Sequence, residues 1–126
     1  MTDRFVVMVV EDDAEMNELE RDLLAAYGLQ SVAAYTGTEA LEVYRQSTPD
    51  LVLLDVMLPE MDGFETCRRL RGLDGRSVPI VLLTALDSDE SRRRGFEVGA
   101  NAYFCKPFDP DEVVQKIQDL LNGPPI

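Results

Sequence analysis

The chain is 126 residues long, with 24 acidic and 12 basic residues, no histidine and a net charge of −12. That balance excludes nucleic-acid binding by the domain itself, and an apolar content of 45% excludes a disordered chain. At this length one domain with a sizeable core is expected. No run is long enough to span a membrane, which makes a soluble, cytoplasmic protein the expectation.

The first apolar run, Phe5 to Val10, is too short for a signal peptide and ends in Glu11-Asp12-Asp13. It reads as a strand buried on both faces. Met16, Leu19, Leu23 and Tyr27 then recur near the helical period, which predicts a helix packed through those four residues and stopped by Gly28. Ser31 to Tyr35 is a weaker strand. Thr36 and Glu39 have capping-box spacing and open a helix with Ala40, Leu41 and Tyr44 inward.

Leu51 to Leu54 is the next strand, punctuated by Pro49 and Asp50 and ending on Asp55. Pro59 and Gly63 then mark a loop running into a helix that carries Phe64, Cys67 and Leu70. After a loop over Gly72 to Ser77, Ile80 to Leu83 forms a fourth strand closed by Thr84. Asp87 and Glu90 suggest another capping box. The helix they open is polar through Arg92, Arg93 and Arg94, holds Gly95, and offers a core face only at Phe96 and Val98. It is expected to be loosely held.

Ala102 to Cys105 is the fifth strand, followed by Lys106-Pro107. Asp109, Pro110 and Glu112 start a last helix, amphipathic through Val113, Val114, Ile117, Leu120 and Leu121, which Gly123-Pro124-Pro125 ends. Cys67 and Cys105 have no Cys or His company and read as buried free thiols.

Five alternations of strand and helix predict an α/β fold: a parallel sheet with right-handed crossovers and helices on both faces. Parallel strands deliver their C-terminal ends to one edge, so Asp12, Asp55, Thr84 and Lys106 converge there. Clustered carboxylates favour a proton or a cation. An all-oxygen donor set suits Mg2+, with Mn2+ as an alternative. A hydroxyl and an ammonium complete what a phosphoryl group needs, and a carboxylate can form an aspartyl-phosphate. Each residue alone also has a structural reading as a cap, strand end or surface lysine.

Val9-Val10-Glu11-Asp12-Asp13, Leu53-Leu54-Asp55-Val56-Met57-Leu58-Pro59-Glu60-Met61-Asp62-Gly63, Leu83-Thr84-Ala85 and Tyr103-Phe104-Cys105-Lys106-Pro107-Phe108 closely resemble the receiver domain of bacterial two-component response regulators, over about the whole chain. The resemblance implies a doubly wound, flavodoxin-like sheet of five strands in the order 2-1-3-4-5, with five helices. It implies a signalling phosphoacceptor that catalyses its own Mg2+-dependent phosphorylation and dephosphorylation. Asp55 would take the phosphoryl group from a histidine kinase or a histidine phosphotransfer protein. Asp12, Asp55 and the backbone carbonyl of Met57 would hold Mg2+, with Glu11 acting through water. Thr84 and Lys106 would bind the phosphoryl oxygens, the Lys106–Pro107 bond would be cis, and Tyr103 would switch rotamer with Thr84.

Residues 1–126 are expected to form a single receiver domain, with 122–126 a tail or the start of a linker. The face made by residues 88–98, 102–106 and 110–121 is the expected surface for an effector domain or target protein. A phosphorylation-dependent homodimer is compatible with its mixed charges. Two positions depart from the DNA-binding branch of the family: Asn101-Ala102 stands where Asp-Asp is common, and Lys116 where an arginine pairs across that branch's dimer. An NTPase would need a Gly-rich phosphate loop that is absent. A haloacid-type phosphatase would need a second Asp where Met57 stands. A degenerate receiver would have lost one of the four site positions, and none is replaced.

Overall fold

The computed structural model describes residues 5–73, 75 and 77–123, so part of the expected 72–77 loop and most of the expected tail lie outside it. The elements are β1 Val6–Val10, α1 Ala14–Ala26, β2 Gln30–Ala34, α2 Gly37–Ser47, β3 Leu51–Leu54, α3 Gly63–Arg71, β4 Ile80–Thr84, α4 Asp89–Glu97, β5 Ala102–Cys105 and α5 Pro110–Asn122. All strands are parallel, in the order β2-β1-β3-β4-β5. The register sets Val10 beside Leu54 and Leu54 beside Leu82, so the strands bearing Glu11 and Asp55 end level with each other.

Strand alternation sorts the core into two layers. Met8, Val10, Val52, Leu54, Ile80, Leu82 and Tyr103 pack with Ala40, Tyr44, Phe64, Cys67 and Leu70, under α2 and α3. Val7, Val9, Leu51, Leu53, Val81 and Leu83 pack with Leu24, Val113 and Ile117, under α1 and α5. Burying each such side chain contributes about 1.5–3 kcal/mol, which is why the continuous apolar runs become the central strands.

The caps hold the helices where they start. Asp13 accepts the amides of Glu15 and Met16 at 3.0 and 3.1 Å, and Asp62 accepts that of Glu65 at 2.9 Å. Thr36 caps α2 through Glu39 as expected, while the Glu39 carboxylate returns to the amide of Tyr35 rather than that of Thr36. The cap of α4 is Ser88, one residue later than the expected box: its hydroxyl accepts the amide of Ser91.

Two helix faces differ from the periodicity reading. On α1, Leu19 is 60% and Tyr27 42% exposed, and the residues facing inward are Asn17, Glu20 and Leu24. The helix is rotated so that Asn17 Nδ2 reaches the carbonyls of Val9, Glu11 and Ala34 at 3.1–3.3 Å, satisfying backbone where β1 and β2 end. On α4, Phe96 is half-exposed and Gly95 is the buried position. A Cβ there would lie 2.8 Å from Leu82 Cδ1 and 3.0 Å from Tyr103 Cδ2, so the glycine is what lets α4 approach β4 and β5. Two of the three arginines are also held: Arg92 lies over the Tyr103 ring at 5.1 Å and Arg94 over Phe64 at 4.6 Å. Cys67 is buried as expected, whereas Cys105 is only half-buried, because β5 is an edge strand; both are free thiols.

Candidate phosphoacceptor site

Asp55 comes directly after the last residue of β3 and is 8% exposed. Its amide donates to Val10 O at 3.0 Å, which ties the end of β3 to that of β1. Gly63 is the reason α3 can start so close by. A Cβ at that residue would fall 2.3 Å from the Asp55 carbonyl oxygen and 2.5 Å from Val56 Cα. Both carboxylate oxygens of Asp55 are engaged: Oδ1 accepts the amide of Met57 at 3.1 Å, and Oδ2 accepts Lys106 Nζ at 3.3 Å.

Glu11 is buried like Asp55, and it takes the shorter bond from Lys106, 2.8 Å to Oε1. Its Oε2 accepts the amide of Asp13 at 3.0 Å. Capping of α1 falls to Asp13, which leaves Glu11 and Asp12 for the site. Glu11, Asp12 and Asp55 each offer a carboxylate oxygen, all within 4.8 Å of one another. Asp12 is exposed, yet slight desolvation, then a hydrogen bond with Glu11 and the Glu11 and Asp13 charges, hold its carboxyl above the usual carboxylate range. A hard divalent cation relieves such crowding, and three oxygens at this spacing fit one.

Burial disfavours the charged form of Lys106, but the carboxylates of Glu11, Asp55 and Glu20 outweigh it and raise its pKa above the ordinary value. The Lys106–Pro107 bond is cis. Thr84 and Tyr103 stand on the other layer. The Thr84 hydroxyl, fully buried, accepts the Leu86 amide at 3.3 Å, and Tyr103 donates its hydroxyl to Leu86 O at 2.8 Å. One residue, Leu86, therefore links the two expected switch residues. A cleft of about 650 Å³ opens beside Asp12 and Met57, walled by Phe64, Leu86 and Arg94.

Two residues at the site were missed by sequence reasoning, Asn17 and Glu20. Both are polar residues on the inward stripe of a helix whose apolar residues suggested a different rotation. The signal available was their i, i+3 spacing soon after the acidic triplet. Glu20 is 5% exposed, and burial, with Glu11 and Asp55 adding to it against Lys106, pushes its carboxyl up to about 7.

Residues 7–118 match the family model described as the response regulator receiver domain. The chain is 41% identical over 116 residues to the response regulator MprA of Mycobacterium tuberculosis, covering 92% of this chain and 50% of that protein. It is 38% identical to the transcriptional regulatory protein BaeR of Escherichia coli, covering 92% and 48%. The chain thus spans about half the length of these curated relatives. Among solved structures, the BeF3-activated N-terminal receiver domain of Klebsiella pneumoniae RstA superposes with a TM-score of 0.87 at 39% identity, over 94% of this chain and 99% of that one.

Proposed function

The chain belongs to the response regulator receiver domain family of two-component systems, and from that premise we propose that Asp55 is its phosphoacceptor. The observation that carries this is the convergence on Asp55 of the Lys106 ammonium and two further carboxylates, at the end of a buried strand. In the reaction an Asp55 oxygen bonds to phosphorus as the P–N bond of a donor phosphohistidine breaks, and the imidazole leaves with that electron pair. Glu11, Asp12 and Asp55, with the Met57 carbonyl, would hold Mg2+. When bound, the ion neutralises charge on the phosphoryl oxygens.

The chain's own groups do the rest. Lys106 leaves the Asp55 oxygen and pairs with a phosphoryl oxygen. The buried Thr84 hydroxyl turns from Leu86 to donate to another. That withdraws the acceptor of the Leu86 amide, and Leu86 O in turn holds Tyr103, so the change reaches α4 and β5. The cognate donor is a histidine kinase or a histidine phosphotransfer protein. The face formed by α4, β5 and α5 engages an effector domain or target, and the reaction takes place in the cytoplasm. The RstA receiver, solved in a BeF3-activated form, is a precedent for a probe that mimics the phosphoryl group.

Incubation with Mg2+ and acetyl phosphate is expected to add one phosphate, labile to base and hydroxylamine, and Asp55→Asn is expected to abolish it. Undiminished labelling of that variant would refute the assignment.

A further inference from the structure

Three acids are buried among the described residues: Glu11, Asp55 and Glu20. The first two belong to the acceptor site, and the third takes no part in the phosphoryl transfer proposed for Asp55. Glu20 lies on the inward stripe of α1, one turn before Leu24, and its Oε2 is buried without a hydrogen-bond partner. An apolar side chain would cost less there, because a desolvated carboxylate is unfavourable unless a charge compensates it.

The compensating charge is at hand. Val7, Val9, Leu51 and Leu53 share the α1/α5 layer with Leu24. Two-residue alternation then carries Glu11, Asp55 and Lys106 to that same side of the sheet edge. The charges acting on Glu20 are the Lys106 ammonium, which favours its ionised form, and the carboxylates of Glu11 and Asp55, which oppose it. Lys106 in turn feels Glu20 beyond the two carboxylates it touches. An ammonium has three N–H donors, and Glu11 Oε1 and Asp55 Oδ2 take two of them.

The proposed function, on which this inference rests, sets up a conflict. The two carboxylates that hold Lys106 are also the ones a divalent cation needs. A cation there repels the ammonium and removes its partners at once. We propose that Glu20 is a positioning residue, the anion that retains the Lys106 ammonium beside Asp55 when Glu11 and Asp55 turn to the metal. Glu20 stands outside the cluster of three carboxylate oxygens, so it keeps a charge that the ion does not consume. Metal binding and lysine placement then cease to compete, and Lys106 stays within reach of the incoming phosphoryl group.

The test is a Mg2+ titration of the intact chain by NMR, at about pH 8, where the Glu20 carboxyl is ionised. The readouts are the dissociation constant from backbone shifts and the position of the Lys106 ε-methylene signal. Glu20→Gln and Glu20→Leu are both expected to weaken Mg2+ binding roughly fivefold, the scale of one carboxylate–ammonium contact. Both should also shift the Lys106 signal of the metal-bound form. In a Lys106→Met background the same substitutions should change Mg2+ affinity by less than about twofold, since no ammonium remains to be rehoused. Unchanged affinity in the two Glu20 variants overturns the proposal. So does an equal loss with and without Lys106, which would mean that Glu20 acts on the ion directly. Asp12→Ala separates this outcome from failure of the metal reading: a Mg2+ response that survives in that variant rejects the metal site itself, whatever Glu20 does. Two variants of different polarity guard against a folding defect, and both should melt no lower than the wild type.

Discussion

The two sides of the sheet's C-terminal edge are built from opposite materials. On the α1/α5 side stand Glu11, Asp55, Lys106 and Glu20, an ionic cluster in which the ammonium bridges carboxylates at 2.8 and 3.3 Å. On the other side stand Thr84, Leu86 and Tyr103, joined by neutral hydrogen bonds and packed against Gly95 and Arg92. The difference teaches how one edge can both react and report. In the proposed reaction the charged side would take up the phosphoryl group, whereas a neutral chain of short contacts, once Thr84 is engaged, can rearrange without desolvating an ion. Strand parity makes the division, since Asp55 and Thr84 follow the pleat to opposite layers.

The ionic side should break most visibly with pH. The folded pKa of Glu20 is raised to about 7 from an ordinary value of 4.5. The native state therefore binds the proton more tightly than the unfolded chain, and that stability is complete below about pH 4.5 and lost as pH rises through 7. Glu20→Leu should remove this loss, for a gain over wild type of about 3 kcal/mol at most on going from acid to pH 8. Denaturant melts at the two pH values measure it, and equal gains at both would mean that the carboxyl is not perturbed.

The neutral side should break through packing. Gly95→Ala places a methyl 2.8 Å from Leu82 and 3.0 Å from Tyr103, and overpacking of this kind costs about 1–3 kcal/mol. It is expected to lower the melting temperature while leaving Mg2+ affinity unchanged. A loss of metal binding would mean that the two sides are not separate.

Asp12→Ala relieves carboxylate repulsion, so it should raise the metal-free melting temperature and remove most of the Mg2+ response. At ten times the dissociation constant that response is worth about 1.4 kcal/mol, or a few degrees. The smallest effect is expected from Thr84→Ala. Phosphorylation should persist, while the beryllofluoride-induced NMR shifts over residues 88–106 weaken. Full-sized shifts in that variant would show that Leu86 is not the link between Thr84 and Tyr103.

The strands, their parallel direction and the four residues at their ends were legible in the chain itself, and the strand order only through the family resemblance. Unbroken apolar runs such as Val6–Val10 and Leu51–Leu54, alternating with helices, suit strands buried on both faces, and whatever polar residue ends such a run must sit at the sheet edge. Helix starts were legible for the same local reason at α2 and α5, with Thr36 and Asp109 capping where short-range hydrogen bonds demand it. What the tertiary structure alone decided is the rotation of α1 and the fit of α4. A helical period states that a face exists without stating which one turns inward when the buried residues are polar. Asn17 is drawn in by three carbonyls from the ends of two strands, and Glu20 feels a lysine 86 residues away in sequence. Gly95 reads as a weakness in a helix until Leu82 and Tyr103 are set against it. These contacts join residues distant in the chain, so their energies enter only once the sheet has brought the elements together.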